Sequence, residues 1–299
     1  MREVRWERMF PDELEQAFAK RPIVYYPYGL CEPHGPQNAV GLDALKAHGI
    51  LCKVAERIGG IVAPSDYWHI HELGGYAIWS HNYVGQPPRT WLTAIPPWQH
   101  FKNICYHVRM ADVLGFQAAL FFTGHYGPNW EDLKTLLTLL QPHVGTRLYG
   151  LPEFESNVKG FYGDGKSIGD HAGKVETSLL WALEPDCVDM SRLPAPDAPP
   201  PHFAMGITAP ESNRLAGERM VADQIDWFEN RVAELLADYE AIQPNHTLQT
   251  FEDVERIWES VGRPELPHFK TMQDSWNEDA VPPNSKWFAN WRVPKRDNL

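Results

Sequence analysis

The chain has 299 residues, enough for one large α/β domain with a full core or for two small ones. Hydrophobic residues make up 43% and charged residues 22%, the balance of a globular chain and not of a disordered one. The formal net charge of −12 argues against a nucleic-acid partner, and no polybasic patch points to a membrane surface.

The N-terminal stretch MREVRWERMFPDELEQAF is charged and amphipathic and lacks the apolar core of a signal peptide. No segment approaches the ~18 apolar residues of a membrane span, so a cytoplasmic protein is expected. Cys31, Cys52, Cys105 and Cys187 are scattered without a CxxC pair, which fits free thiols in a reducing compartment. Residues 23–29, IVYYPYG, form a β-branched and aromatic run that ends at a glycine and predicts a buried strand. A helix is expected from Asp43, with Leu45, Ile50, Leu51, Val54 and Ile58 as apolar positions and Gly59-Gly60 as its stop. IVAP at 61–64 predicts a second strand, and the His-, Trp- and Pro-rich stretch 65–97 is too irregular for one element. A helix at 98–114, a strand at 118–123, a helix at 130–140 and a strand at 146–151 follow. A short helix at 172–183 and a long one at 213–241 complete the pattern, with a Pro-rich surface crossover at 191–203 between them.

Strands alternating with helices predict a mainly parallel sheet covered on both faces. Residues 1–241 are expected to form this domain. Residues 242–299 carry Trp258, Trp276, Trp287 and Trp291 with many prolines, and are expected to pack over the domain or over a neighbouring subunit.

Three segments carry residues suited to chemistry. In GLCEPHGPQNAVGLD, 29–43, Glu32 and His34 alternate and share one side of an extended backbone, and Asp43 follows at the mouth of a helix. Carboxylate plus imidazole is a ligand set for zinc, manganese or iron. The competing reading is a helix cap and two exposed polar side chains in a turn. In TGHYGPNW, 123–130, His125 directly follows a strand between Gly124 and Gly127, where a lone histidine is more often structural than a ligand. In DHAGKVETS, 170–178, His171 belongs to a loop and Glu176 to the first turns of a helix, with N-capping by Asp170 as the plain alternative. The first two segments directly follow predicted strands, and open parallel sheets bind ligands beyond the carboxyl ends of their strands.

Together these segments resemble the creatininase family in order and spacing. The matching residues are Glu32-Pro33-His34-Gly35-Pro36 with Asp43 downstream, Gly124-His125 after a later strand, and His171-Ala172-Gly173-Lys174-Val175-Glu176-Thr177-Ser178. The resemblance implies a three-layer α/β/α fold and two divalent ions per chain, with Asp43 as the bridging carboxylate and Glu32, His34 and His125 as further ligands. It also implies hydrolysis of a C–N bond in a small cyclic or linear amide, often in a hexamer, with His171 moving a proton. Creatininase proper has a metal-binding Glu two residues after the Gly-His histidine, where this chain has Gly127. Other members use the Glu of the Glu-Thr-Ser segment, which assigns Glu176 here. The family's second histidine in the first motif is replaced by Gln37-Asn38-Ala39, Pro128 displaces the usual Asn to Asn129, and the Gly-Thr-Ile segment is not recognisable in 72–97.

Amide hydrolysis needs an activated water and a proton for the leaving nitrogen. Histidine titrates in the right range for that delivery, so His171 is the expected proton carrier, oriented by Asp170. Trp68, His69, His71, Tyr76, Trp79 and His81, with Tyr126 and Asn129, are expected to wall a pocket for a small planar or ring-shaped ligand. Core or interface packing is the competing reading for the aromatic residues. Two other functions fit the same residues: a metal-dependent lyase or isomerase on a sugar-like carbonyl compound, and a non-catalytic binding protein of the same fold.

Overall fold

A computed structural model describes residues 3–71, 81–85, 89–127, 129–242 and 245–272. After α1 (Pro11–Lys20) the chain enters the sheet at β1 (Ile23–Tyr28) and passes through α2 (Leu42–Ile58) to β2 (Ile61–Val62). The short α3 (His81–Val84) and α4 (Pro97–Val113) lead to β3 (Ala118–Thr123), and α5 (Asn129–Leu140) leads to β4 (Arg147–Pro152). The short α6 (Glu153–Ser156), α7 (Lys174–Leu183), α8 (Arg214–Ala241) and α9 (Phe251–Ile257) follow.

The strands run parallel in the order β2-β1-β3-β4. Alternate residues of each strand enter opposite cores, which is why β1 and β3 read as unbroken apolar runs. Val24, Tyr26, Tyr28, Ala119 and Phe121 pack with Phe101, Ile104 and Val108 of α4 and Leu136 of α5. Ile23, Tyr25, Ala118, Leu120 and Phe122 pack on the other side with Ile50 and Val54 of α2, Leu179 of α7 and Phe228 of α8. The result is the expected three-layer α/β/α arrangement.

Two boundaries differ from expectation by more than one residue, each for a local reason. β2 stops at Val62 because Pro27, the next residue of β1 to face it, has no N–H to continue the ladder after Ala63 N donates to Tyr25 O. α7 starts at Lys174 and not at residue 172, because Ala172 has φ +49° and Gly173 is extended. In the C-terminal segment, Leu248, Val254, Ile257, Trp258, Leu266, Phe269 and Met272 belong to the same core as α4 and α5, so 245–272 packs on its own chain. Trp276, Trp287 and Trp291 lie outside the described residues. No helix among the described residues is long and apolar enough to cross a membrane, and all four cysteines are free.

The chain leaves β1 toward β2 on one side and later crosses to β3 on the other. The carboxyl ends of β1 and β3 therefore flank the topological switch point, where folds of this kind bind ligands.

Candidate metal centre

Tyr28 and Thr123, the last residues of β1 and β3, stand opposite one another, and each strand is followed by a glycine. The start of α2 drops onto these glycines. A Cβ on Gly29 would lie 2.3 Å from the Ala44 amide nitrogen, and one on Gly124 would lie 2.1 Å from the Asp43 carbonyl oxygen. Only glycine admits that approach, and it delivers Asp43 between the two strand ends. Gly124→Ala is therefore expected to displace the helix start. Overpacking of this kind costs about 1–3 kcal/mol, so melting temperature and metal content should fall together. Both values unchanged from wild type would show that this contact does not set the position of Asp43.

Glu32 and His34 lie in the loop after β1, which is closed by Glu32 N donating to Val40 O at 2.9 Å. Asn38 Nδ2 donates to His34 O and to Thr177 Oγ1, and Gln37 Nε2 donates to Ala172 O, so the loop is tied to the start of α7. That places Glu176, in the first turn of α7, beside His34. His125 is held after β3 by a small turn in which its N–H donates to Thr123 Oγ1 and its carbonyl accepts from the same hydroxyl.

All five side chains are buried, none more than 3% exposed. His34 Nε2 is 3.2 Å from Asp43 Oδ1, 3.5 Å from Glu32 Oε1 and 3.7 Å from Glu176 Oε2. His125 Nδ1 is 2.9 Å from Glu32 Oε1 and 3.0 Å from Asp43 Oδ2. Asp43 thus gives one oxygen to each histidine. It belongs to two of the three compact donor groups among the described residues, Glu32/Asp43/His125 and His34/Asp43/Glu176; the third is Glu32/His34/His171.

The donor set fits a pair of divalent ions. Ligand atoms at about 2.0–2.2 Å from a tetrahedral zinc stand roughly 3.3–3.5 Å apart, close to the separations above. His34 Nε2 and Asp43 Oδ1, though 3.2 Å apart, are not aligned for a hydrogen bond, and both are buried without one. Such orphaned polar atoms are costly unless something fills the gap. The electrostatics agree. Burial disfavours a charged His34, but Asp43, Glu32 and Glu176 outweigh it and lift the imidazole to about 9. Burial raises Glu32, yet His125, His34 and His71 hold it well below the usual carboxylate range. The cluster asks for positive charge, from protons or from metal. Removing metal with a chelator is expected to lower the melting temperature by several degrees, since a ligand at 100 Kd contributes about 2.7 kcal/mol. Added zinc or manganese should restore it; a melting temperature indifferent to chelator and metal would mean that the cluster binds no ion.

The remaining expected site residues divide. His171, 46% exposed at its side chain, stacks on His34 with ring centroids 4.6 Å apart. Its Nε2 is 3.1 Å from Pro33 O, and its Nδ1 faces the cluster 4.0 Å from Glu32 Oε1. Asp170 does not orient it. Both Asp170 oxygens accept from the start of α7, at Val175 N and Glu176 N, and one also accepts from Thr208 Oγ1. The helix-capping reading holds for Asp170, because free amide donors at a helix start compete successfully for a nearby carboxylate.

His71 sits closer to the centre than a pocket wall would, with Nε2 2.9 Å from Glu32 Oε2. His69 lies behind His125, buried, with Nδ1 donating to Ile70 O. Asn129 is buried with its amide donating to Tyr126 O, and the Tyr126 hydroxyl points away into a buried network with Lys46 and Glu153. These three are held internally rather than lining an open pocket. Trp68 is exposed, the side chain of His81 is not described, and Tyr76 and Trp79 lie outside the described residues.

A parallel α/β/α sheet with a buried carboxylate–imidazole cluster at its switch point has the architecture of a metal-binding α/β protein. The chain belongs to the creatininase family: the family model described as creatininase, creatinine amidohydrolase, matches residues 7–234. Creatinine amidohydrolase of Pseudomonas putida is 25% identical over 200 residues, covering 60% of this chain and 71% of that protein. Among solved structures, a manganese form of creatininase is 21% identical, covers 78% of this chain and 98% of its own, and has a TM-score of 0.59. A mutant creatininase of the Zn-Zn type matches over the same shares at 21% identity, with a TM-score of 0.60.

Sequence reasoning missed Lys46 and Glu153. Lys46 had a readable signal, since it lies three residues after Asp43 and shares its helix face. Glu153 follows β4 directly, so it stands at the same end of the sheet as Glu32 and His125.

Proposed function

We propose that this chain hydrolyses a C–N bond in a small cyclic or linear amide, using two divalent ions, zinc or manganese, held by Glu32, His34, Asp43, His125 and Glu176. The observation that carries the reading is the split carboxylate of Asp43, one oxygen toward each histidine. Such ions, when bound, lower the pKa of water toward about 7 and polarise a carbonyl oxygen. The protein supplies the rest. Pro33 O, accepting from His171 Nε2–H, leaves Nδ1 to carry a proton between the cluster and the leaving nitrogen. Partial exposure lets the same ring exchange that proton with solvent. Gly127, in place of the creatininase carboxylate, and Gln37-Asn38-Ala39, in place of its second motif histidine, support a substrate other than creatinine.

The test is turnover of a panel of small amides by metal-loaded enzyme, with products weighed by mass spectrometry. The expected product set is the substrate plus one water, as an amine and a carboxylate. Products of unchanged total composition would indicate an isomerase or lyase, and bound metal without turnover a binding protein.

We further propose a cytoplasmic homo-oligomer. The resemblance to the creatininase family, whose members are often hexamers, supports the assembly. Light scattering is expected to give a multiple of the 34.2 kDa chain, and a monomer at micromolar concentration would contradict this.

A further inference from the structure

Lys46 of α2 is wholly buried, and a buried ammonium is tolerated only when it is paired. Its Nζ lies 2.6 Å from Glu176 Oε1, 3.1 Å from Tyr126 OH and 3.9 Å from Glu153 Oε2, and 4.2 Å from the centre of the Tyr126 ring. The Tyr126 hydroxyl donates a short hydrogen bond to Glu153, whose other oxygen accepts from Gln224 Nε2 of α8 at 2.8 Å. The network therefore fixes Lys46 from behind.

The consequence falls on Glu176. One of its oxygens is occupied by Lys46. The other, Oε2, accepts from Ala172 N at 2.8 Å and faces His34 at 3.7 Å. The carboxylate is gripped on both sides with a single oxygen turned to the cluster. Lys46 is the cation of this network, nearest Glu176 and farther from Glu153. Without Lys46, Glu153 and Glu176 would be buried carboxylates in one network with no cation between them.

We propose that Lys46 is a positioning residue for the second ion: it holds Glu176 Oε1 and so presents Oε2 to the His34/Asp43 side of the cluster. Residue 127 is a glycine and carries no carboxylate; the one beside His34 and Asp43 comes from α7, and Lys46 is the group that fixes it there. The inference rests on the two-ion reading of the cluster.

The experiment is zinc bound per chain, by elemental analysis after equilibration at stepped free zinc concentrations, for wild type, Lys46→Met and Glu153→Gln. Wild type and Glu153→Gln are expected to hold two ions. Lys46→Met is expected to keep the first ion at wild-type affinity and to bind the second roughly 10–100-fold more weakly, the usual cost of losing an outer-shell partner. If Lys46→Met does not fold, the Lys46→Met/Glu153→Gln double variant removes both charges together and carries the same expectation. A merely structural lysine would lower the melting temperature and leave second-ion affinity unchanged. Two ions at unaltered affinity in the lysine variants, with two in wild type, would overturn the inference alone. A wild type that never holds more than one ion would overturn the two-ion reading and the inference with it.

Discussion

Asp43→Ala is expected to empty the centre of both ions and to abolish turnover. No other side chain in the cluster gives separate oxygens to His34 and His125, so its loss removes one of three donors from each group at once. Loss of an outer-shell partner already costs about 10–100-fold in metal affinity, and loss of a shared ligand should exceed the upper end for both ions. The fold should survive. The chelated variant should melt somewhat below chelated wild type, because His34 and His125 lose a buried carboxylate that faces them both. Elemental analysis of purified variant gives the answer directly. One ion retained at wild-type affinity would mean that Asp43 serves a single site.

His171→Ala is expected to retain both ions and to lose about 10²–10⁴-fold in kcat, the usual contribution of general acid–base catalysis, with a smaller change in KM. The ring has an ordered contact at Pro33 O and partial access to solvent, and it faces the cluster without the burial of the other five residues. The loss should shrink for substrates whose leaving amine is a weak base, since these need less protonation. A competing role is visible in the geometry, because Glu32, His34 and His171 also bring ligand atoms close together. If His171 is a ligand, the variant loses an ion along with activity. Unchanged kcat with both ions in place would remove it from the mechanism.

Much of the fold was legible because both layers of helices bury a sheet whose central strands are apolar throughout. IVYYPY and AALFFT advertise themselves as β1 and β3, and each is followed by a glycine and then by residues of the cluster. The order of motifs therefore carried the centre as well as the fold. What stayed hidden depends on packing between distant segments. Whether Asp170 caps a helix or orients His171 is decided by Val175 and Glu176 amides that a linear reading cannot aim. Tyr126 and Asn129 looked like pocket walls beside His125, yet Lys46, contributed by α2, and Glu153, at the end of β4, turn the tyrosine inward. Glu153 itself is lifted to about 7 by burial, against the pull of Lys46, an environment that no local sequence pattern encodes.

The most direct test of the central claim is anomalous X-ray diffraction from crystals of the zinc- or manganese-loaded protein, collected at the metal edge. Two peaks per chain are predicted, one among Glu32, Asp43 and His125 and one among His34, Asp43 and Glu176, with the Asp43 carboxylate between them. A single peak, or peaks away from Asp43, would contradict the account.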